Sequence, residues 1–345
     1  MSPFLPRLAS HSPVRRRLLT TAASAAAVLA TPWGMRAARA QGLTRIVYQT
    51  GWLPQPDKGG LYQALATGLY REYGLDVELR SGGPQLNVMQ IFLAGAVDFA
   101  DSDSMRVLSL ASQGLPAIAV AAFGQKAFNV VLSHAGSGHD ELASLKGDPL
   151  LVSTAGRQTY WPWLKAKFGF TDEQIRPYTY SMAPFLVDPR MSMEGFITSE
   201  PYELARSGVK PVVHMLAEHG YLAYSNVTLA KPSMVREQPD VVQRFVDATA
   251  RGWASYLHGD PTPGNALIRE GNPDASDEKI AYALETMREH AIFDSPDVQA
   301  GGPGAMSHAQ WQAIYDSAVQ SGVARPGVDI RQGYTLDFVN KRVGA

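Results

Sequence analysis

The sequence predicts an α/β protein of two lobes with a helical C-terminal part, and three observations support this prediction. Short β-branched runs alternate with helical patterns through the first two thirds of the chain, which is typical of mostly parallel sheets covered by helices on both faces. From residue 232 onward the pattern is helical. The chain without its first 40 residues has about 305 residues, more than one hydrophobic core usually serves.

The predicted elements are short, and the strands are rich in Val, Ile, Leu and Phe. We expect strands at residues 46–48, 77–79, 99–100, 118–122, 130–132, 150–153, 196–198 and 212–215. We expect helices between them at 60–73, 87–94, 104–113 and 159–168, and C-terminal helices at 232–238, 239–257, 266–270, 276–291 and 307–322. This order predicts a first lobe to about residue 123, a second lobe to about residue 220 and a helical return.

Residues 1–40 have the composition of a secretory signal peptide. They contain six arginines and no acidic residue, an Ala-rich apolar run at 18–30, and the cleavage-like triplet Ala38-Arg39-Ala40. The apolar run is too short to cross a hydrocarbon core of ~30 Å. Arg15-Arg16-Arg17 also resembles a twin-arginine export signal, so both export routes remain open. We expect cleavage after Ala40 and a periplasmic location.

The rest of the chain is mildly acidic and has no cysteine. Beyond residue 40 it carries 25 Lys and Arg residues against 32 Asp and Glu residues, which argues against a nucleic-acid partner. The lack of cysteine excludes disulfides, thiolate metal sites and cysteine nucleophiles. The eight histidines show no metal-like spacing, so we expect no metal site and no cofactor.

Residues 52–62 follow the first predicted strand and open the first helix. Ligands in open α/β sheets bind at such points, where loops and helix N-termini converge. Trp52, Asp57, Lys58 and Tyr62 supply a ring, an acid, a base and a hydroxyl there, which predicts the edge of a pocket. An ordinary strand-to-helix turn is the alternative.

Two later loops and the presumed hinge add polar groups to the first lobe. Asn87 ends the loop that begins at Ser81, and Ser102 and Asp103 follow the third strand. Helix capping is the alternative for these side chains. Gln125 follows the strand at 118–122, and we expect it to reach a ligand from the hinge.

The second lobe supplies aromatic rings and one acid. Tyr160, Tyr180 and Tyr202 fall in or beside the expected cleft loops, where they could stack on a flat ligand, although core packing is the alternative for rings at helical spacing. Glu200 precedes Pro201, which favours a helix start. Glu200 could accept hydrogen bonds from a ligand or simply complement the helix dipole.

The order of several loose motifs resembles that of periplasmic solute-binding proteins of nitrate/sulfonate/taurine-type transporters. The matching motifs are Trp52-x-Pro54, Gly60-Leu61-Tyr62, Tyr73-Gly-Leu-Asp-Val77, Leu93-Ala-Gly95-x-x-Asp98-Phe99, Gly114-x-Pro116, Leu145-Lys-Gly147 and Gly195-Phe-Ile-Thr-Ser-Glu-Pro-Tyr202. The resemblance covers nearly the whole chain after residue 40, and it is strongest to the NMT1-like branch that binds thiamine-pyrimidine precursors.

This resemblance implies a type II periplasmic-binding-protein fold with a ligand cleft between two α/β lobes. It places lobe crossings near 123–128 and 220–225, a first lobe at 43–125 plus 225–345, and a second lobe at 126–224. It also implies hinge closure around a small-molecule ligand, an ABC permease of the inner membrane as partner, and a monomer. A sensor in place of the permease remains an alternative.

The resemblance also bears on ligand and chemistry. Lys58 stands where synthase-type relatives have a histidine that takes part in chemistry, and the cysteine-rich motif of those synthases is missing. We therefore expect no catalytic residue and the capture of a flat, nitrogen-containing ring, such as a pyrimidine precursor of thiamine or a flavin-like molecule. The alternatives are a receptor for a small organic anion (sulfonate, nitrate or carboxylate) and, in another class, a pyrimidine-precursor synthase.

Overall fold

Two five-stranded sheets with helices around them form the part of the chain described by the computed structural model, residues 42–84 and 86–345. The proposed signal peptide lies outside the described residues. The strand order is β2-β1-β3-β10-β4 in the first sheet and β7-β6-β8-β5-β9 in the second. The strands are β1 Thr44–Gln49, β2 Leu75–Arg80, β3 Phe99–Ser102, β4 Ile118–Gly124, β5 Asn129–His134, β6 Leu150–Val152, β7 Ile175–Pro177, β8 Ser192–Phe196, β9 Pro211–Met215 and β10 Ser225–Ala230.

The helices cover both sheets, and most of the long ones come from the C-terminal part of the chain. They are α1 Gly59–Ala66, α2 Leu69–Glu72, α3 Val88–Leu93, α4 Ser104–Ser112, α5 Thr154–Gln158, α6 Trp161–Phe168, α7 Ala183–Val187, α8 Glu200–Arg206, α9 Pro232–Glu237, α10 Pro239–His258, α11 Thr262–Gly271, α12 Asp277–Glu289, α13 Pro296–Gly301 and α14 His308–Gln320. Within residues 42–84 and 86–345, none of them has both the length and the hydrophobicity of a membrane span.

In each sheet four strands point one way and one strand is reversed, so the expected mostly parallel sheets are confirmed. The reversed strands are β10 in the first sheet and β5 in the second. Each of them is the first strand after the chain passes from one sheet to the other. The chain leaves each sheet at the carboxyl end of a strand. It enters the other sheet at the edge that faces this end, so the first strand in the new sheet runs away from the facing edge. The carboxyl edges of the two sheets therefore face each other.

Gly59 and Gly60 allow α1 to pack directly against the long helix α10. A Cβ atom on Gly59 would lie 1.9 Å from the Tyr256 ring, and one on Gly60 would lie 2.2 Å from the Trp253 ring. Such distances leave no room for any side chain. The Gly-Gly pair after Lys58 therefore serves helix packing.

Several predicted element boundaries are wrong. The helix expected at 60–73 is two helices, because Gly68 between them has φ +80°, a conformation that glycine adopts without strain. The strand expected at 196–198 lies at Ser192–Phe196, since the Ser199 amide bonds the Phe196 carbonyl and turns the chain there.

Two strands were missed altogether by the sequence analysis. β7 ends on a proline and lies at a sheet edge, where proline is tolerated but the strand signal is weak. β10 begins where only a lobe crossing was expected, and its alternating Asn226 and Thr228 are buried along with their apolar neighbours. The pattern of apolar and polar residues in β10 therefore did not indicate a central strand.

Candidate functional site

Lys58 lies at the centre of a buried polar cluster on the first sheet's side of the facing edges. Its Nζ atom lies 3.1 Å and 2.9 Å from the two carboxylate oxygens of Asp101 and also donates to Asn226 Oδ1. An Asp57 oxygen lies 3.7 Å away. Burial disfavours the charged amine, but Asp101 and Asp57 outweigh it and raise the pKa of Lys58. Its positive charge is therefore neutralised inside the protein.

Asp101 and Asn226 are central to this cluster, and the sequence analysis did not assign either to the site. Asn226 has φ +48° at the start of β10, and its side-chain amide donates to the Asp57 carbonyl. Asn226 thus ties the turn Pro56–Lys58 to the strand that follows the second crossing. Burial, with a smaller contribution from Asp101, raises the pKa of Asp57 although Lys58 opposes it.

The Tyr62 hydroxyl is a buried polar group that the described residues leave without a hydrogen-bond partner. Burial raises the pKa of Tyr62 to about 12, with the nearby side chains of Ser81 and Thr50 opposing it and the charges of Asp57 and Asp101 acting in the same direction. An unpaired buried hydroxyl carries a desolvation cost of about 1–3 kcal/mol, which a bound ligand or water would relieve. The predicted role of Tyr62 in ligand binding is compatible with this position.

Glu194 is the central acid on the second sheet's side, and it too was missed. It lies in β8 with only 8% of its surface exposed, and the Tyr160 hydroxyl donates to its carboxylate. A Cβ atom on Gly156 would lie 2.3 Å from the Glu194 Oε2 atom, so the glycine makes room for the acid. Burial raises the pKa of Glu194. An acidic residue within the mostly apolar run Ser192–Phe196 is the sequence signal that could have indicated Glu194.

Glu200 begins α8, as predicted, and its side chain turns back toward β8. Its Oε2 atom accepts a hydrogen bond of 2.7 Å from the Phe196 amide. Burial raises the pKa of Glu200 to about 7, with Lys279 lowering it and Glu194 raising it. Near neutral pH the carboxyl group can therefore both donate and accept a hydrogen bond.

Direct side-chain contacts connect the first lobe to the second lobe across the space between the two sheets. The ring centroids of Trp52 and Tyr180 lie 4.6 Å apart with planes tilted by 47°, and Tyr178 lies 5.3 Å from Tyr180. Arg106 also reaches from α4 to Gln158 on α5 at 3.5 Å. Burial, with the charges of Glu194 and Glu200 acting in the same direction, raises the pKa of Tyr178 and Tyr180, so these two acids lie near the rings that contact Trp52. We take this region between the two sheets, with the Lys58 cluster on the first sheet's side, as the candidate ligand cleft.

Gln125 is placed at the first crossing, where its side chain has only protein partners. Its Nε2 atom donates to the carbonyls of Ala122 at 2.7 Å and Ala305 at 3.1 Å, and its Oε1 atom accepts from Ser295. This arrangement holds the crossing against the helical return. The expected contact of Gln125 with a ligand has no support in this geometry.

Asn87, Ser102 and Asp103 are placed in local hydrogen bonds that match the capping alternative. Asn87 is exposed and accepts from the Gln90 amide at 3.1 Å, and Asp103 accepts from the Arg106 amide at 2.9 Å. Ser102 Oγ has a 3.4 Å contact with the Asp103 carbonyl. Asp103 also lies close to the cleft, since its charge contributes to raising the pKa of the buried Tyr221.

Tyr202 is placed against helix α12, outside the Trp52–Tyr180 group. Its ring centroid lies 5.4 Å from that of Tyr282, and the Arg206 guanidinium lies over the ring at 5.9 Å from the centroid. As for metal binding, residues 42–84 and 86–345 contain no group of three or more His, Cys, Asp or Glu side chains placed to hold an ion.

Comparison with known proteins identifies the family. The protein family described as NMT1/THI5 like matches residues 55–262, more than half of the chain. The chain belongs to this family. The resemblance drawn from the motif order is thereby confirmed.

Similar proteins include two that are named as binding proteins and two that are named as synthases. The riboflavin-binding protein RibY of Chloroflexus aurantiacus is 22% identical over 93% of this chain and 95% of its own length. The formylaminopyrimidine-binding protein of Halalkalibacterium halodurans is 24% identical over 79% of this chain and 84% of its own. The 4-amino-5-hydroxymethyl-2-methylpyrimidine phosphate synthase THI11 of Saccharomyces cerevisiae is 28% identical over 86% and 88%, respectively.

Solved structures confirm the fold. The periplasmic aliphatic sulphonate binding protein SsuA of Escherichia coli has a TM-score of 0.61 to this chain at 15% identity, covering 84% of this chain and 91% of its own. The expected two-lobed periplasmic-binding-protein fold is thus confirmed. At this identity the likeness concerns the fold and not the ligand.

Proposed function

We propose that this protein is the periplasmic substrate-binding component of an ABC importer that captures a flat, nitrogen-containing ring compound. A pyrimidine related to thiamine precursors and a flavin-like molecule are the two ligand types we favour. The two lobes close on the ligand, and the closed form is recognised by a permease of the inner membrane. The protein acts as a monomer and reaches the periplasm through the signal peptide in residues 1–40.

The observation that carries this proposal is the hydrogen-bonding character of the cleft. Glu194 offers a buried carboxyl group and Glu200 a partly buried one in the second lobe, and the Tyr62 hydroxyl is unpaired in the first. Groups of this kind pair with the amino and ring N–H groups of a heteroaromatic ligand. The Trp52 and Tyr180 rings, whose centroids lie 4.6 Å apart in direct contact, would separate to stack on its faces, and each ring pair adds ~0.5–1.5 kcal/mol.

The charges of the cleft disfavour the alternative of a small organic anion. A sulfonate or carboxylate is usually held by arginine or by backbone amides. Lys58 is the one Lys or Arg among the buried residues of 42–84 and 86–345, and its ammonium group is already bound by Asp101, Asp57 and Asn226. An anion would therefore find no unpaired Lys or Arg among the buried residues that the structure describes.

The alternative of a pyrimidine-precursor synthase has less support. The yeast synthase is similar to this chain in sequence. However, this chain has no cysteine and so lacks the cysteine-rich motif of such synthases. Lys58, at the position where the synthases have histidine, has its Nζ atom bound within the protein. Relatives named for binding riboflavin or formylaminopyrimidine cover 93% and 79% of this chain, and the yeast synthase covers 86%, so the missing cysteines and the bound Lys58 are what support capture without chemistry.

A ligand panel tests the proposal. We expect riboflavin or 4-amino-5-hydroxymethyl-2-methylpyrimidine to raise the melting temperature and to bind with micromolar or better affinity in calorimetry, about −8 kcal/mol or more favourable. Glu194→Gln should weaken this binding at least tenfold, whereas Glu173→Gln on an exposed turn of the second lobe should not change it. If taurine or nitrate binds and no ring compound does, the ligand class is wrong.

A second measurement addresses the class of function. Mass spectrometry of molecules released on denaturation should detect an intact ring compound in protein purified from its own periplasm. Formation of a pyrimidine product by the purified protein with iron and a pyridoxal cofactor would instead establish the synthase alternative.

A further inference from the structure

Helix α12 belongs to the helical return but reaches the second lobe. It is fixed to the first lobe through Arg288, whose guanidinium donates to the Leu257 carbonyl at the end of α10 at 3.0 Å and 2.8 Å. Its buried face includes Ile280 and Leu284. Four other positions, three or four residues apart, form a separate stripe: Lys279, Tyr282, Thr286 and His290, the last directly after the helix.

The N-terminal half of this stripe contacts α8. Lys279 Nζ lies 2.7 Å from Glu203 Oε1, with only 12% and 27% of the two side chains exposed. The Tyr282 ring packs against Tyr202 at 5.4 Å, and its hydroxyl donates to the Ile197 carbonyl at 3.0 Å. Three contacts thus join α12 to α8 and to the turn before it.

The C-terminal half of the stripe faces β9 and the second crossing. His290 Nδ1 lies 2.9 Å from Glu218 Oε1, and the His290 carbonyl accepts from Lys126 of the first crossing at 2.7 Å. Between the two sets of contacts lies a groove of about 180 Å³, floored by Val213 and Met215. The stripe therefore contacts the second lobe at both of its ends, and the packing between these two sets of contacts is incomplete.

We propose that this stripe of α12 is an interlobe clasp that positions α8, and with it Glu200, for ligand capture. Glu203 and Tyr202 lie within one turn of Glu200 on the same helix, so the contacts that hold α8 against α12 also set the place of the Glu200 carboxyl group. This inference rests on the proposed function for the role of Glu200. It assigns Tyr202 a positioning role in place of the ligand contact expected from the sequence.

Loss of the clasp should shift the equilibrium between closed and open lobes. The Lys279–Glu203 and Tyr282–Ile197 contacts join the helical return of the first lobe to the second lobe, so under this proposal they stabilise the closed state more than the open one. Lys279→Met should lower the ratio of closed to open protein about fivefold, the effect of one well-shielded ion pair. Tyr282→Phe, which keeps the ring and loses the hydroxyl, should act in the same direction.

Distance measurements between spin labels test this directly, because the chain has no native cysteine to interfere. Labels at Gln113→Cys and Arg157→Cys, both exposed, report the gap between α4 and α5 across the cleft. We expect Lys279→Met to add longer distances, and the exchange Lys279→Glu with Glu203→Lys to restore the wild-type distribution. Lys165→Met, which breaks an ion pair of 2.9 Å within the second lobe, is the matched control and should leave the distances unchanged.

The outcomes separate the clasp from the proposed ligand. Distances that do not respond to Lys279→Met, in ligand-free protein and with saturating riboflavin alike, would overturn the clasp. A failure of the exchange to restore the distances while Lys279→Arg keeps them would also overturn the pairing with Glu203. Longer distances in Lys279→Met together with no binding of any ring compound would leave the clasp standing and reject the proposed ligand class.

Discussion

Glu200 should make the stability of this protein depend on pH, and Glu200→Gln should remove that dependence. The Glu200 carboxyl group accepts a hydrogen bond from the Phe196 amide at 2.7 Å. Burial raises its pKa from 4.5 to about 7. Glutamine has nearly the same shape and keeps an oxygen for the Phe196 amide, but it does not titrate. The substitution therefore isolates the cost of the buried charge.

The sign and size follow from proton linkage. In the unfolded chain Glu200 has its usual pKa of 4.5, so between pH 4.5 and 7 the folded protein holds a proton that the unfolded chain has lost. The free energy of unfolding therefore falls as pH rises through this window and levels off above it. Because one pKa unit corresponds to about 1.4 kcal/mol, the whole loss is about 3 kcal/mol, most of it between pH 5 and pH 8.

Urea denaturation of wild type and Glu200→Gln at several pH values measures this effect. We expect the variant to gain stability relative to wild type by about 2.5 kcal/mol on going from pH 5 to pH 8. Glu270→Gln on the exposed surface of α11 is the control and should follow the wild-type curve. If the curves of wild type and Glu200→Gln run parallel, the folded protein does not raise the pKa of Glu200.

Three further substitutions probe the cleft and its support. Lys58→Met leaves Asp101 buried without its cation and should lower the free energy of unfolding in urea by about 3–5 kcal/mol. Gly60→Ala places a methyl group against the Trp253 ring and should destabilise by about 1–3 kcal/mol in the same assay. Trp52→Ala removes the ring that faces Tyr180 and should weaken ring-compound binding in calorimetry about tenfold or more while stability changes by less than about 1 kcal/mol.

Each of these three predictions has a control variant or an outcome that would contradict it. Adding Asp101→Asn to Lys58→Met should recover part of the lost stability, and a further loss would contradict the proposed pairing. Gly83→Ala, where a Cβ atom meets no neighbour within 4 Å, should be nearly neutral, so equal losses at Gly60 and Gly83 would argue against the packing explanation. Equal affinity of Trp52→Ala and wild type would show that the cleft lies elsewhere.

The predicted site residues that stand in the cleft share one property in the sequence. Trp52, Lys58, Tyr180 and Glu200 lie on loops or at helix starts near strand ends, and strand ends of one sheet meet at one edge. The residues missed lack that signal. Glu194 lies inside a strand, and Asn226 forms its bond with Lys58 across 168 residues of sequence. Such a partner cannot be inferred from local spacing.

Two other predicted site residues have partners within the protein that local sequence does not indicate. Gln125 and Tyr202 have side chains that suit ligand binding and lie near the expected cleft. However, Gln125 forms hydrogen bonds with Ala305 and Ser295, and the Tyr202 ring packs against Tyr282. These partners belong to the helical return, more than 70 residues away in the chain. A polar or aromatic group at a cleft edge is available to a ligand only if no distant segment has already bound it.

The sequence by itself determined the two-lobed α/β architecture, the family, and the lack of cysteine chemistry, because these depend on local periodicity, motif order and composition. The tertiary structure decided how the polar groups are used. It showed that Lys58 is neutralised by Asp101 and Asn226 and that Glu194 faces the cleft beside Tyr160. Charge and hydrogen-bonding capacity depend on partners brought together by long-range packing, and in the proposed function those partners favour a ring compound over an anion as the ligand.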